Sequence, residues 1–226
     1  DKWLSDMKAS GCEVHVSLGN VADWESTVAA FEKVRAEIGE VDILVNNAGL
    51  GSSGLFDAIT DLTIFERLMR VNFLGSVWCT AYALPFLKKS KGGVVAISSL
   101  TGLTGVPKRT AYAATKHAMA GFFDSLRIEV RDSGVAVTVI YPGFVFSEIN
   151  QRALSPDGTP FGERAYQRTS VETMKTDKCC RQILDAVARR DRDLVMTWRG
   201  KIGRMLKLIS PSLVDGIARR AIERRQ

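Results

Sequence analysis

A doubly wound parallel α/β sheet is the fold this sequence predicts, and two observations predict it. Short runs rich in β-branched residues alternate with longer stretches whose apolar residues recur at helical spacing, the order of strands joined by crossover helices. The strand-like runs are also apolar nearly throughout, as strands covered on both faces must be. With 226 residues, 46% of them hydrophobic and 25% charged, the chain can bury one sizeable core.

The elements follow in order. DKWLSDMKAS reads as a helix, and CEVHVSL (12–18) reads as a strand leading into GNVAD. Trp24, Val28, Phe31 and Ile38 then mark an amphipathic helix. VDILVN (41–46) is the next strand, followed by a glycine-rich exit and a helix start at Thr63-Ile-Phe-Glu66, which has capping-box spacing. GGVVAIS (92–98) and VAVTVIYP (135–142) are two more strands. Between them, Met119, Phe122, Phe123, Leu126 and Val130 form a helical stripe. Residues 151–176 are rich in turn formers and weakly periodic, which suits a substrate lid extending over about 147–176. Cys180, Ile183, Leu184 and Val187 make another stripe, and Ser210-Pro211 places a proline at a first helical position.

Composition narrows the function classes. No apolar run approaches the ~20 residues of a membrane span, and the polar N-terminus lacks a secretory core. Four cysteines, Cys12, Cys79, Cys179 and Cys180, fit neither a metal spacing nor a disulfide framework, so a reducing cytoplasm is the expected setting. The net charge of +6 comes from residues 199–226 alone, where eight basic residues meet Asp215 and Glu223; the rest of the chain balances to zero. A neutral body with a basic tail argues against a nucleic-acid partner.

Gly49, Gly51 and Gly54 spell G-x-G-x-x-G after a strand, the pattern of a dinucleotide phosphate loop. That motif requires its third glycine to open a helix and an acid to stand about 20 residues on, at the end of the next strand. LFDAITDL follows Gly54 and VNFLG occupies the later position, so neither requirement is met. The glycines therefore belong to a strand-exit loop.

Tyr112 and Lys116 lie one turn apart near the start of a predicted helix, so phenol and ammonium can serve one site. A fixed ammonium would favour the phenolate and lower its pKa from ~10, which suits proton transfer nearer neutrality. Ser99, thirteen positions earlier, ends a predicted strand.

With NNAG at Asn46–Gly49, VNFLG around Asn72, ISSLTG around Ser99, YAATK at Tyr112–Lys116 and YPGFVFS at Tyr141–Ser147, the sequence resembles the classical short-chain dehydrogenase/reductase family, from its first residue to about Arg199. The resemblance implies a Rossmann-like domain over 1–198, incomplete at its N-terminus; beyond it, residues 199–226 read from their own pattern as a basic amphipathic helical extension. It implies Tyr112 as general acid/base, Ser99 as the donor that holds the substrate oxygen, and Lys116 as the residue that hydrogen-bonds the nicotinamide ribose and depresses the Tyr112 pKa. Asn72, at a helix distortion, would position a water that links Lys116 to solvent. NAD or NADP would be bound by Asn20, Val21, Asn47, Ala48 and Gly49 on the adenosine side. Tyr112, Lys116, Pro142, Gly143, Val145 and Ser147 would hold the nicotinamide side. Asn20 stands where the family commonly has an aspartate, and Ser147 where it usually has a threonine.

The expected reaction is hydride transfer between the nicotinamide and an apolar secondary alcohol or ketone, by a homo-oligomer. The family's phosphate loop would precede DKWLSDMKAS and is not in the sequence, which implies that a first strand, helix and second strand are missing and leaves NAD and NADP undecided. A catalytically silent scaffold or fragment, acting through protein or membrane contacts, is the competing expectation. Trp198, Ile202, Met205, Leu206 and Ile209 form an apolar stripe beside Arg199, Lys201, Arg204 and Lys207; Leu213, Ile217 and Ala221 form another after Pro211. These stripes are expected to pack on the domain or a second subunit, with peripheral contact to an anionic membrane left open.

Overall fold

In the computed structural model of the protein, which describes residues 2–164 and 173–223, four strands form one parallel sheet. β1 (Ile43–Asn46), β2 (Gly93–Ile97), β3 (Ala136–Tyr141) and β4 (Asp193–Val195) lie side by side in chain order. The register sets Asn46 opposite Ala96, Ile97 opposite Ile140, and Tyr141 opposite Val195. All carboxyl ends therefore open toward one edge, where ligands of such sheets sit.

The alternation of strand side chains divides the core. Val94 and Ala96 of β2, with Val137, Val139 and Tyr141 of β3, pack against α4 (Gly75–Ser90) and α5 (Thr110–Glu129) through Ala83, Leu87, Met119, Phe123 and Leu126. Val95 and Ile140 point the other way, onto Ala186 and Ile183 of α7 (Thr176–Ala188). Helices cover both faces, as the alternating pattern predicts. On α7 the predicted stripe holds in part: Ile183 and Val187 pack against the sheet together with buried Cys179 and Ala186, whereas Cys180 and Leu184 are exposed. A four-residue apolar series fits two neighbouring faces of one helix, and only the sheet selects between them.

Several elements depart from the sequence reading. CEVHVSL follows α1 (Lys2–Ala9) but is not a strand; it runs as coil with Leu18 94% exposed. A strand forms only where a neighbour receives its backbone hydrogen bonds. Among the described residues the sheet ends at β1, whose Ile43 and Val45 are themselves half exposed. α2 (Trp24–Glu37) is capped by Asp23, which accepts from the Ser26 N–H at 2.7 Å. α3 (Thr63–Leu68) begins where expected, but Thr63 is not the cap. Asp61 accepts from both the Thr63 N–H (2.9 Å) and its hydroxyl (2.7 Å). β4, with three residues, is too short to be read as a strand from periodicity.

The turn-rich segment 151–176 is partly docked. After α6 (Ile149–Arg152), Ala153 and Leu154 are buried, and Leu154 joins Ile64, Leu68 and Ala111 in a small core. Its N–H donates to the Gly51 carbonyl (2.9 Å), and its carbonyl accepts from Ser53 (3.0 Å). A Cβ on Gly51 would stand 3.2 Å from that of Ala153, and one on Gly54 would stand 2.7 Å from Pro156 Cγ. The glycine cluster is thus where one loop lies flat on another, in keeping with a strand-exit loop. Residues 165–172 of the proposed lid lie outside the described residues.

α8 (Trp198–Ile209) and α9 (Pro211–Glu223) form a hairpin across the carboxyl edge of β4. α8 is capped by Thr197, which accepts from the Gly200 N–H at 3.0 Å, and α9 opens on Pro211 as read. Arg204 donates to Asp193 (2.8 Å) and Lys207 to the Leu103 carbonyl (2.7 Å). Of the α8 stripe only Leu206 is partly covered; Trp198, Ile202, Met205 and Ile209 are 67%, 48%, 68% and 79% exposed, so the expectation that the stripe packs on the domain fails for these four. Asp193 and a backbone carbonyl instead tie down Arg204 and Lys207 on the side toward the body.

Candidate active site

Ser99 leaves β2 in an extended conformation and caps a single turn at Leu100–Gly102, its Oγ accepting from the Thr101 N–H at 3.2 Å. That turn lies against the start of α5, where Ser98 Oγ donates to the Lys116 carbonyl at 3.1 Å. Strand end and helix start are thereby joined, and the Ser99 hydroxyl and the Tyr112 phenol face one cavity.

Lys116 is one turn further into α5 and 3% exposed. Its Nζ donates to the Ile97 carbonyl (2.7 Å), contacts Met119 Sδ (3.4 Å), and stands 5.7 Å from the centre of the Tyr112 ring. Burial pulls its pKa down to about 8. The Tyr112 pKa moves up, not down as the spacing suggests: burial raises it most, while the Ser99 hydroxyl and the Arg109 guanidinium oppose. The ammonium is spent on a carbonyl at the strand end, so the cation that opposes the rise is Arg109.

Asn72 sits in a π-helical turn, Met69–Leu74, between α3 and α4, which is the distortion expected of it. It is fully buried. Its Oδ1 accepts from the Leu50 N–H (2.7 Å), and Nδ2 donates to the Leu50 carbonyl (2.9 Å) and to Thr115 Oγ1 (2.9 Å). Both amide protons are therefore used in clamping the exit loop of β1 to α5. Gly49 lies within that clamp: a Cβ there would stand 3.7 Å from Asn72 Oδ1 and 3.8 Å from Lys116 Nζ.

Above Ser99 and Tyr112 is a cavity of about 350 Å³. Pro142, Gly143 and Val145, in the loop after β3, line it as predicted. Much of the rest of its wall is apolar, including Leu100, Leu103, Phe144 and Ile149, and α8 and α9 close its far side with Gly203, Val214 and Ala218. No acidic side chain lines it among the described residues.

The other predicted residues surround this centre without lining the cavity. Asn47, Ala48 and Gly49 are exposed at the exit of β1, and Ser147 is exposed before α6. Asn20 Oδ1 accepts from the Ala22 N–H (3.0 Å), an Asx turn that holds the loop before α2. Val21 presses on the start of α4, where a Cβ on Gly75 would stand 2.7 Å from the Val21 carbonyl oxygen.

Arg109 is the residue the sequence reading missed. It precedes Tyr112 by three positions, lines the cavity, and donates from Nη1 to the Ser52 carbonyl at 2.8 Å. The i, i+3 rule that paired Tyr112 with its neighbours could have found it.

Comparison with known proteins agrees with this arrangement. Residues 1–157 match the family profile described as short chain dehydrogenase. Dehydrogenase/reductase SDR family member 7B of Rattus norvegicus is 35% identical over 199 residues, covering 86% of this chain and 60% of that protein. 11-beta-hydroxysteroid dehydrogenase A of Arachis hypogaea is 30% identical over 207 residues, covering 90% of this chain and 59% of that one. The chain thus spans about 60% of the length of these curated relatives. A short-chain dehydrogenase from Streptomyces avermitilis, 24% identical, superposes with a TM-score of 0.74 over 97% of this chain and 84% of its own, a likeness of fold. A gluconate 5-dehydrogenase from Burkholderia cenocepacia J2315, crystallised with NADP and tartrate, gives a TM-score of 0.62 at 25% identity, over 66% of this chain and 59% of its own. With its parallel sheet, its π-turn asparagine and its serine and tyrosine meeting beneath an apolar cavity, this chain belongs to the short-chain dehydrogenase/reductase family.

Proposed function

We propose that the protein is an NAD(P)-dependent oxidoreductase that interconverts an apolar secondary alcohol and its ketone. The observation that carries this reading is that Ser99 and Tyr112 line the same cavity, with the Lys116 ammonium buried one turn below the phenol. Tyr112 is held in its protonated form by burial, the state required to give a proton to a carbonyl oxygen. Ser99 donates to the same oxygen, so charge that develops there meets two hydroxyl groups in a cavity that Arg109, Arg199 and Arg204 also line. In the oxidising direction the phenol takes the proton back.

The residues present fit the cofactor. Gly49 leaves room beside Lys116, which keeps one ammonium proton, and Asn72 Oδ1, which keeps one lone pair, for ribose hydroxyls. Lys116 would hold the nicotinamide ribose, with Pro142, Gly143, Val145 and Ser147 along the nicotinamide. Asn20, Val21, Asn47, Ala48 and Gly49 would take the adenosine half. When bound, the nicotinamide supplies or accepts the hydride. Asn72 acts as a positioning residue, since it ties Leu50 to Thr115 and so fixes the Gly49 turn against α5.

The largely apolar wall favours a hydrophobic substrate. Nicotinamide absorbance against panels of apolar secondary alcohols and ketones tests the reading. Tyr112→Phe should keep cofactor binding, measured by quenching of intrinsic fluorescence, and lower turnover by about 10²–10⁴-fold. Undiminished turnover in that variant refutes the assignment of the proton donor, and a silent scaffold is supported if the unaltered protein binds no cofactor.

A further inference from the structure

An amphipathic helix at a protein surface ordinarily turns its apolar stripe inward and its charges to solvent. α8 leaves its apolar stripe facing outward. Trp198, Ile202, Met205 and Ile209 recur at four, three and four residues, forming one stripe with Leu208 beside it, and every one of them is exposed. The side toward the body carries Gly200, Gly203, Arg204 and Lys207; the last two are tied to Asp193 and to the Leu103 carbonyl, and Gly200 lies against Leu100. The orientation is therefore fixed by specific bonds.

α9 continues the same surface. Leu213 and Ile217 are half exposed, and Ile217 and Ala221 also line the cavity. The apolar outer surface of the hairpin runs on into the wall of the chamber above Tyr112. The residues around it are basic: Lys201 is exposed on the stripe's flank, Arg220 is exposed on α9, and α8 contains no acidic residue. Residues 199–226 carry the protein's whole surplus of +6.

We propose that the outer face of the α8–α9 hairpin docks on an anionic phospholipid bilayer and holds the cavity entrance at the membrane surface, so that apolar ligand passes between lipid and cavity without crossing water. An apolar stripe bordered by cations matches the boundary between acyl chains and anionic headgroups. A second copy of this chain fits the face poorly, since pairing it with itself would bring two +6 tails together. No helix among the described residues is long and apolar enough to cross a membrane, so the contact is peripheral.

The test is co-flotation of the protein with vesicles of pure phosphatidylcholine and with vesicles containing phosphatidylserine, with no substrate present, so that its outcome is separate from that of the oxidoreductase reading. Binding is expected to the anionic vesicles, to weaken at high salt, and to fall at least tenfold in the double variant Met205→Glu/Leu208→Glu. Lys201→Glu/Arg220→Glu should weaken it by about fivefold or more for each charge, from the attraction of single basic residues to an anionic surface. Both pairs lie on the solvent side, and unchanged near-ultraviolet circular dichroism verifies the fold. Equal partition of all forms overturns the inference, as does absence of binding to either vesicle. A concentration-dependent dimer that Met205→Glu/Leu208→Glu dissolves would assign the face to a second copy and overturn it equally.

Discussion

α5 and α8 are both amphipathic helices, yet they face opposite ways. α5 buries Met119, Phe123 and Leu126 against β2 and β3, and its N-terminal turns carry Tyr112 and Lys116 into the site. α8 presents most of its apolar residues to solvent and is tied to the sheet edge through Arg204 and Lys207. The difference teaches that the amphipathic pattern fixes only that a helix has two faces. What stands opposite decides which one is buried. Beneath α5 lie two buried strands; beneath α8 lie a carboxylate and a free backbone carbonyl, which bind cations better than leucines do.

Truncating a stripe residue on each helix breaks the comparison most directly. Phe123→Ala empties a site with no solvent exposure and should cost about 3–5 kcal/mol, read as a lowered urea midpoint. A loss under about 1 kcal/mol would mean that α5 does not anchor the core.

The next effect separates the buried cation of α5 from the surface cations of α8. The Lys116 pKa is pulled down to about 8 in the folded protein, from about 10.5 when solvated, so between those values the unfolded chain binds more protons and stability rises with pH. Below pH 8 the burial penalty is present in full; above it the penalty is progressively relieved. From pH 8 to about 10, before Tyr112 begins to titrate, Lys116 should add roughly 2 kcal/mol. Urea titrations at several pH values should show this rise in the unaltered protein and not in Lys116→Met. A rise that persists in the variant would place its origin elsewhere.

The smallest effect completes the contrast. Met205→Ala on the outer face of α8 should change stability by no more than about 0.5 kcal/mol, because the residue has little burial to lose. A loss near that of Phe123→Ala would show that the α8 stripe is covered in solution by the protein itself.

Much of the site was legible because its members stand at fixed separations along single elements. One helical turn joins Tyr112 to Lys116, and a strand end delivers Ser99, so local geometry brings them together. The direction of the Tyr112 shift was not legible. It depends on where the Lys116 ammonium finds its acceptor, and that acceptor, Ile97, belongs to a strand nineteen positions away. Arg109 was overlooked although it lies within the same turn. CEVHVSL misled because β-branched composition reports suitability for a sheet and says nothing of whether a neighbour stands beside it.

Local periodicity and spacing by themselves determined the alternating α/β order, the helix that bears Tyr112 and Lys116, and the concentration of charge in the tail. Tertiary structure alone decided which face of α7 and α8 is covered, that Gly51 and Gly54 serve a docked loop, and that the tail closes the cavity. The physical reason is range: hydrogen-bonded turns and side-chain periodicity act over a few residues, whereas burial and the fate of a charge depend on atoms brought near from distant parts of the chain.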